Sequence, residues 1–187
     1  IYHSYLYISG YGYRTHNEAA WMSALVEAGD SIGISFSFKR MQRDKILSRI
    51  AQKTMINRSK MRDVADTRSD FEDSAISSGI YLKEGMNRGN QDFYYMSTII
   101  EVTAEDEETL ERNVSDIITL CASMDMVCKR ADYKHEQGFL SLLPTVSLDA
   151  DLERKSRRNV LTDSLAAAFP FSSFEVYDPE GIFITIQ

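Results

Sequence analysis

The chain has 187 residues, of which 43% are hydrophobic and 26% charged, with a net charge of −7 and a pI near 5.0. That is the profile of a folded globular chain, not of a disordered one or of a wholesale cationic nucleic-acid binder. Two cysteines, Cys121 and Cys128, exclude a disulfide scaffold and a four-cysteine zinc site, and three prolines and nine glycines exclude collagen-like and proline-rich classes. No stretch approaches the roughly 18 apolar residues of a membrane span. The first residue is Ile with no basic-then-apolar leader after it, so the chain reads as an excised part of a longer protein.

Residues 5–13 are rich in aromatic and β-branched side chains and punctuated by glycine, which predicts a strand. Asn17 is placed to cap a helix carrying Ala19, Ala20, Trp21, Met22, Ala24, Leu25 and Val26, stopped at Gly29. Residues 31–38 alternate, with Ile32, Ile34, Phe36 and Phe38 on one face, the pattern of a half-buried strand. From 41 to about 88 the composition favours helix and lacks proline. That length is long for one helix, and a break around 57–59 would make it two. Gly79, Gly85 and Gly89 are expected to loosen its end.

Residues 93–103 are almost continuously apolar, as a central strand should be. Thr103 is expected to cap the next helix, whose acidic start at 105–108 suits the helix dipole. Leu110, Val114, Ile117, Ile118 and Cys121 supply its apolar face, and residues 126–131 read as a short fourth strand. A short helix at 135–143, a polar loop at 145–158 and an apolar helix at 161–169 follow, then a hairpin at 175–186 with its turn at Pro179-Glu180-Gly181. With the helical stretch at about 41–88 set aside as an insertion, the order is βαββαβ. The expected fold is therefore α+β: a ferredoxin-like antiparallel sheet over 1–134, with helices on one face, and a helical and hairpin segment over 135–187.

No catalytic constellation survives inspection. His3, His16 and His135 are isolated, and Cys121 and Cys128 are seven apart with no C-x-x-C or H-x-x-x-H, so metal, catalytic and cofactor sites are all read as none. Neither G-x-x-x-x-G-K-[ST] nor G-x-G-x-x-G occurs, and Gly10-Tyr11-Gly12 reads as a strand end needing relaxed backbone geometry. There is no G-x-S-x-G. The acidic run at 105–108 reads as a solvated helix start. Tyr5, Tyr7, Phe93, Tyr94 and Tyr95 lie on expected strands, but an RNA-binding aromatic motif is not matched and core packing is the better reading.

One polarity stands out. Between residues 39 and 62 nine basic residues face a single acid, Asp44. Lys45, Arg49 and Lys53 recur every four residues and line one helical face, and with Arg43 they form the candidate interaction surface. An anionic lipid surface, nucleic acid or an acidic partner would complement it. The alternative is a solvated face balanced by the acidic stretch at 63–73.

Three segments together carry a resemblance: Gly138-Phe139-Leu140-Ser141-Leu142-Leu143-Pro144, Arg157-Arg158-Asn159-Val160-Leu161-Thr162 and Leu165-Ala166-Ala167-Ala168-Phe169-Pro170-Phe171. The set resembles the block ahead of the motor domain in the CagE/TrbE/VirB family of type IV secretion ATPases, and most of all the TraE-type conjugation ATPases of Gram-positive conjugative elements. Tyr7-Ile8-Ser9-Gly10-Tyr11 followed by Trp21-Met22-Ser23-Ala24-Leu25, and Phe93-Tyr94-Tyr95-Met96-Ser97, resemble the family's opening strand, Trp-bearing helix and aromatic strand. The resemblance implies an N-terminal docking domain ahead of an ATPase that uses ATP and Mg in conjugative DNA transfer. It also implies channel subunits as partners, self-association with the parent ATPase and a place at the cytoplasmic face of the membrane. Nothing catalytic in the family maps onto these residues. A nucleic-acid-binding module that uses the basic helix is the alternative, and the net charge argues against it.

Overall fold

The fold is that of a computed structural model, in which residues 1–13, 19–61, 69–145 and 147–169 are described. Five strands form one antiparallel sheet: β1 (Tyr2–Ile8), β2 (Ile32–Arg40), β3 (Phe93–Ala104), β4 (Cys128–Arg130) and β5 (Arg158–Leu161). Their order is β2-β3-β1-β4, with β5 also paired to β3. β3 is the axis. One edge pairs with β2 from Ile32↔Val102 to Arg40↔Tyr94. The other edge is shared: β1 takes residues 99–104 and β5 takes 93–96. The near-continuous apolar run of β3 follows from that place, since a strand with neighbours on both edges and layers on both faces meets little water.

Side chains alternate across the sheet. Leu6, Ile8, Met96, Ile100 and Val102 point to one face. There they meet Leu110, Val114, Ile117 and Cys121 of α4 (Glu107–Ser123) and Leu25 of the short α1 (Ser23–Val26). Tyr5, Tyr7 and Ile99 point to the other, where Leu152 of α6 (Ala150–Ser156) and Leu142 of α5 (His135–Leu142) cover them. The sheet therefore has helices on both faces, and the second layer comes from residues beyond 134.

The long helical stretch holds two described helices, α2 (Arg43–Met61) and α3 (Ser69–Arg88), and α2 runs unbroken through 57–59, where the break is expected. Their base is fixed by a third apolar cluster of Ile46, Met86, Phe93 and Leu161. Gly79 and Gly85 lie inside α3 and do not loosen it. A Cβ on Gly85 would fall 2.3 Å from Leu161 Cδ1 and one on Gly79 3.0 Å from Thr54 Oγ1, so both mark close approach.

Several local expectations change. The helix expected from residue 19 starts only at Ser23, after a left-handed residue at Ala20 (φ 59); Asn17 lies outside the described residues. Phe38 is 47% exposed, although Phe36, whose ring it stacks on, packs with Ile32 and Ile34 against the core. Thr103 is no helix cap, because β3 runs on to pair Ala104 with Tyr2. Asp106 takes the cap, accepting a 2.8 Å bond from the Thr109 N–H, and this holds its carboxyl below the usual carboxylate range. The loop expected at 145–158 holds α6 and the start of β5. The apolar helix expected at 161–169 is α7 (Thr162–Ala167). The hairpin expected at 175–186 lies outside the described residues.

Candidate interaction surface

The residues that looked chemical in sequence are mostly structural. Cys121 and Cys128 are both buried, on α4 and β4, with their thiols hydrogen-bonded to each other. That bond and burial push the Cys128 thiol up. His3 Nδ1 lies 2.9 Å from Glu101 Oε1, and His135 packs edge-on to Tyr5; His16 lies outside the described residues. Tyr5 and Tyr7 are buried under the second layer and Phe93 in the cluster at the base of α2 and α3, so these three aromatics are core. Burial first, then Glu101, pushes the Tyr5 hydroxyl up to about 12.

Gly10-Tyr11-Gly12 is structural for a reason other than relaxed torsions. A Cβ on Gly10 would sit 2.1 Å from the Arg157 carbonyl oxygen, and one on Gly12 2.4 Å from Val127 Cβ. The Gly10 N–H donates to Lys155 O at 2.9 Å. Both arginines at that close contact pack on rings of the sheet layer: the Arg157 guanidinium lies 4.3 Å from the Tyr95 ring centroid, and Arg158 lies over the buried Tyr13 ring. Burial lowers the pKa of Arg158. The Arg157-Arg158 pair thus joins the α6–β5 connection to the sheet. Sequence reading left that task unassigned, because its signal is a spatial pairing across nearly the whole chain.

The basic face of α2 is different. Lys45, Arg49 and Lys53 are exposed, and none has an ionic partner among the described residues. Arg43 does not share their setting. Its guanidinium donates to the Met86 carbonyl and, at 3.5 Å, to Asn87 Oδ1, so it caps the C-terminal turn of α3. Two residues separate it from Lys45, which places it on another side of the helix. The structure therefore aligns three of the four candidates and gives the fourth a structural bond.

Lys39 and Arg40, at the end of β2, are paired to Glu153 at 3.8 Å and Asp92 at 2.8 Å. The unpaired positive charge thus belongs to the α2–α3 hairpin and not to the strand that leads into it. That hairpin also exposes Met55 (74%), Ile56, Ile80 and Tyr81. Exposed cations are thus interleaved with exposed apolar side chains on this hairpin. No helix of the described residues is long and apolar enough to cross a membrane.

Compared with known families, residues 1–148 match the model described as CagE, TrbE, VirB family, component of type IV transporter system. No curated protein matches the chain.

Proposed function

The chain belongs to the CagE, TrbE, VirB family of type IV transporter ATPase components, and from that premise we propose that it is a non-catalytic docking domain that places a conjugative DNA-transfer motor at its membrane channel. The observation that carries this is the exposed row Lys45, Arg49 and Lys53 on a helical hairpin set apart from the sheet. Each such side chain near an anionic membrane contributes about 1 kcal/mol, so three in a row give a usable but reversible anchor. The strand order β2-β3-β1-β4 supports reading the sheet as ferredoxin-like, with α2 and α3 inserted between β2 and β3. On that reading the insertion reaches the cytoplasmic membrane face and the channel subunits, while the sheet and its two helical layers hold it in place.

Co-sedimentation with vesicles tests the role. The chain should pellet with phosphatidylglycerol-containing vesicles and not with pure phosphatidylcholine. The triple variant Lys45→Glu, Arg49→Glu, Lys53→Glu should stay in solution. Equal pelleting of wild type and variant would remove this role. A reading frame that continues past Gln187 into a strand followed by G-x-x-x-x-G-K-[ST] is the expected companion of such a domain, and a frame without it would remove the motor.

A further inference from the structure

The α2–α3 hairpin carries a second surface, on a different side from the Lys45–Arg49–Lys53 row. Arg49 and Arg58 are nine residues apart, about two and a half helical turns, and so lie on opposite sides of α2. On the Arg58 side the two helices leave a groove of about 450 Å³. Ile50, Met55 and Ile80 give it apolar walls, and Arg58 and Lys83 stand at it as cations. Gly79, where α3 comes close to Thr54 and Ile50 of α2, lies in its lining. Among the described residues no acidic side chain lines it, and neither Arg58 nor Lys83 has an ionic partner.

From this geometry we propose that the groove between α2 and α3 docks an acidic amphipathic helix of a partner protein. The lining on α2 runs from Ile50 to Ser59, about 13 Å at the helical rise, which matches two to three turns of a partner helix. Over that length a partner presents apolar anchors at i, i+3 or i+4 and i+7, which enter between Ile50, Met55 and Ile80. Carboxylates on its flanks reach Arg58 and Lys83. A flat lipid surface does not fill a concavity between two helices, and two cations around an apolar trough are a poor match for a phosphate backbone, which asks for many cations and few apolar contacts. The surface goes beyond the membrane-docking role: the two rest on different residues, and either one stands if the other falls.

The test is fluorescence anisotropy of the 187-residue chain with a designed peptide of roughly 18 residues, long enough for five helical turns. The peptide carries Leu on one face and Glu on the other. Two controls replace the Glu residues by Lys or the Leu residues by Ser. The acidic amphipathic peptide should bind, more weakly as salt rises to about 0.15 M and beyond, and neither control should. Arg58→Glu with Lys83→Glu should weaken binding by about tenfold or more. Met55→Ser, at a position too exposed to matter for folding, should weaken it severalfold. The Lys45→Glu, Arg49→Glu, Lys53→Glu variant should keep most of the affinity. Several outcomes would overturn the proposal: no binding, equal binding of the Lys control, or unchanged affinity in the Arg58→Glu, Lys83→Glu variant. Sedimentation equilibrium showing a dimer that the Arg58→Glu, Lys83→Glu variant abolishes would do so as well, since it would make a second copy the occupant.

Discussion

The sheet and the α2–α3 hairpin use their apolar residues in opposite ways. In the sheet Leu6, Ile8, Ile99, Ile100 and Val102 are all but inaccessible, and helices cover both faces. Among the described residues of the hairpin, Ile46 and Met86 at the base are buried, while Met55, Ile56, Ile80 and Tyr81 meet solvent. Charges divide in the same way. Arg130 of the sheet reaches Glu111 at 2.7 Å, and Lys134 and Lys155 reach Asp151 at 3.2 and 3.0 Å. The cations Lys45, Arg49, Lys53, Arg58 and Lys83 have no ionic partner among the described residues. A side chain that gives up water in the folded chain holds the fold. One that stays in water without a partner does little for the fold and remains available to something else.

The contrast breaks most visibly at the centre of β3. Ile100→Ala should cost about 2–5 kcal/mol, because the cavity forms between two packed layers and cannot collapse. Thermal unfolding should show a fall in Tm of roughly 5–15 °C. Gly10→Ala comes next. The added methyl would meet the Arg157 carbonyl at 2.1 Å, and two backbones cannot separate as a side-chain tip can. A loss of about 1–3 kcal/mol is expected in urea unfolding. A neutral Gly10→Ala would mean that the α6–β5 connection does not hold the sheet together.

Sequence reading reached most of the sheet and part of the hairpin for identifiable reasons. β2 and β3 were legible because alternation and a continuous apolar run each leave a pattern in the chain, and α4 because Leu110, Val114, Ile117 and Cys121 keep helical spacing over three turns. α6 lies in a segment that reads as loop, and β5 spans the end of that segment and the start of the helix expected from 161. Seven and four residues are too few to show a period, and β5 exists because β1 leaves residues 93–96 of β3 without a neighbour on that edge. Thr103 lost its expected capping role to a strand pairing that no local propensity encodes. The basic row was visible as spacing. Spacing also sets Arg43, two positions before Lys45, off that face; its bonds were not visible, because Met86 and Asn87 are more than forty residues away.

Arg43 joins the two regions and gives an intermediate effect. Arg43→Ala should cost about 1 kcal/mol, the ordinary worth of a partly exposed hydrogen bond. Hydrogen exchange should localise it: amides near the start of α2 and the end of α3 should exchange faster while those of β3 keep their protection. Uniform acceleration would show instead that the hairpin and the sheet open as one unit.

Acid sharpens the comparison from the sheet side. Lys155 first, then Lys134, holds the Asp151 carboxyl well below its usual value of 3.8, and the Thr109 N–H lowers that of Asp106. A carboxyl with a depressed folded value contributes fully above 3.8 and loses its contribution as pH falls through the folded value. Asp151→Asn should therefore be less stable than wild type at neutral pH, and the difference should shrink in denaturant titrations below pH 3.8.

The smallest effect carries the opposite sign. Lys45, Arg49 and Lys53 are like charges at i, i+4 and i+8, so each neighbouring pair on α2 repels. Reversing only the middle residue, Arg49→Glu, turns two repulsive pairs into two attractive ones and should stabilise the chain by roughly 0.5 kcal/mol. Reversing all three restores like-charge repulsion and should leave stability within about 0.5 kcal/mol of wild type. Denaturant unfolding of both variants separates two explanations of the row. A row that served the fold would make Arg49→Glu destabilising. A row held for a partner would let Arg49→Glu gain stability while losing anionic vesicles, because the arrangement that suits a negative surface is the one that α2 on its own disfavours.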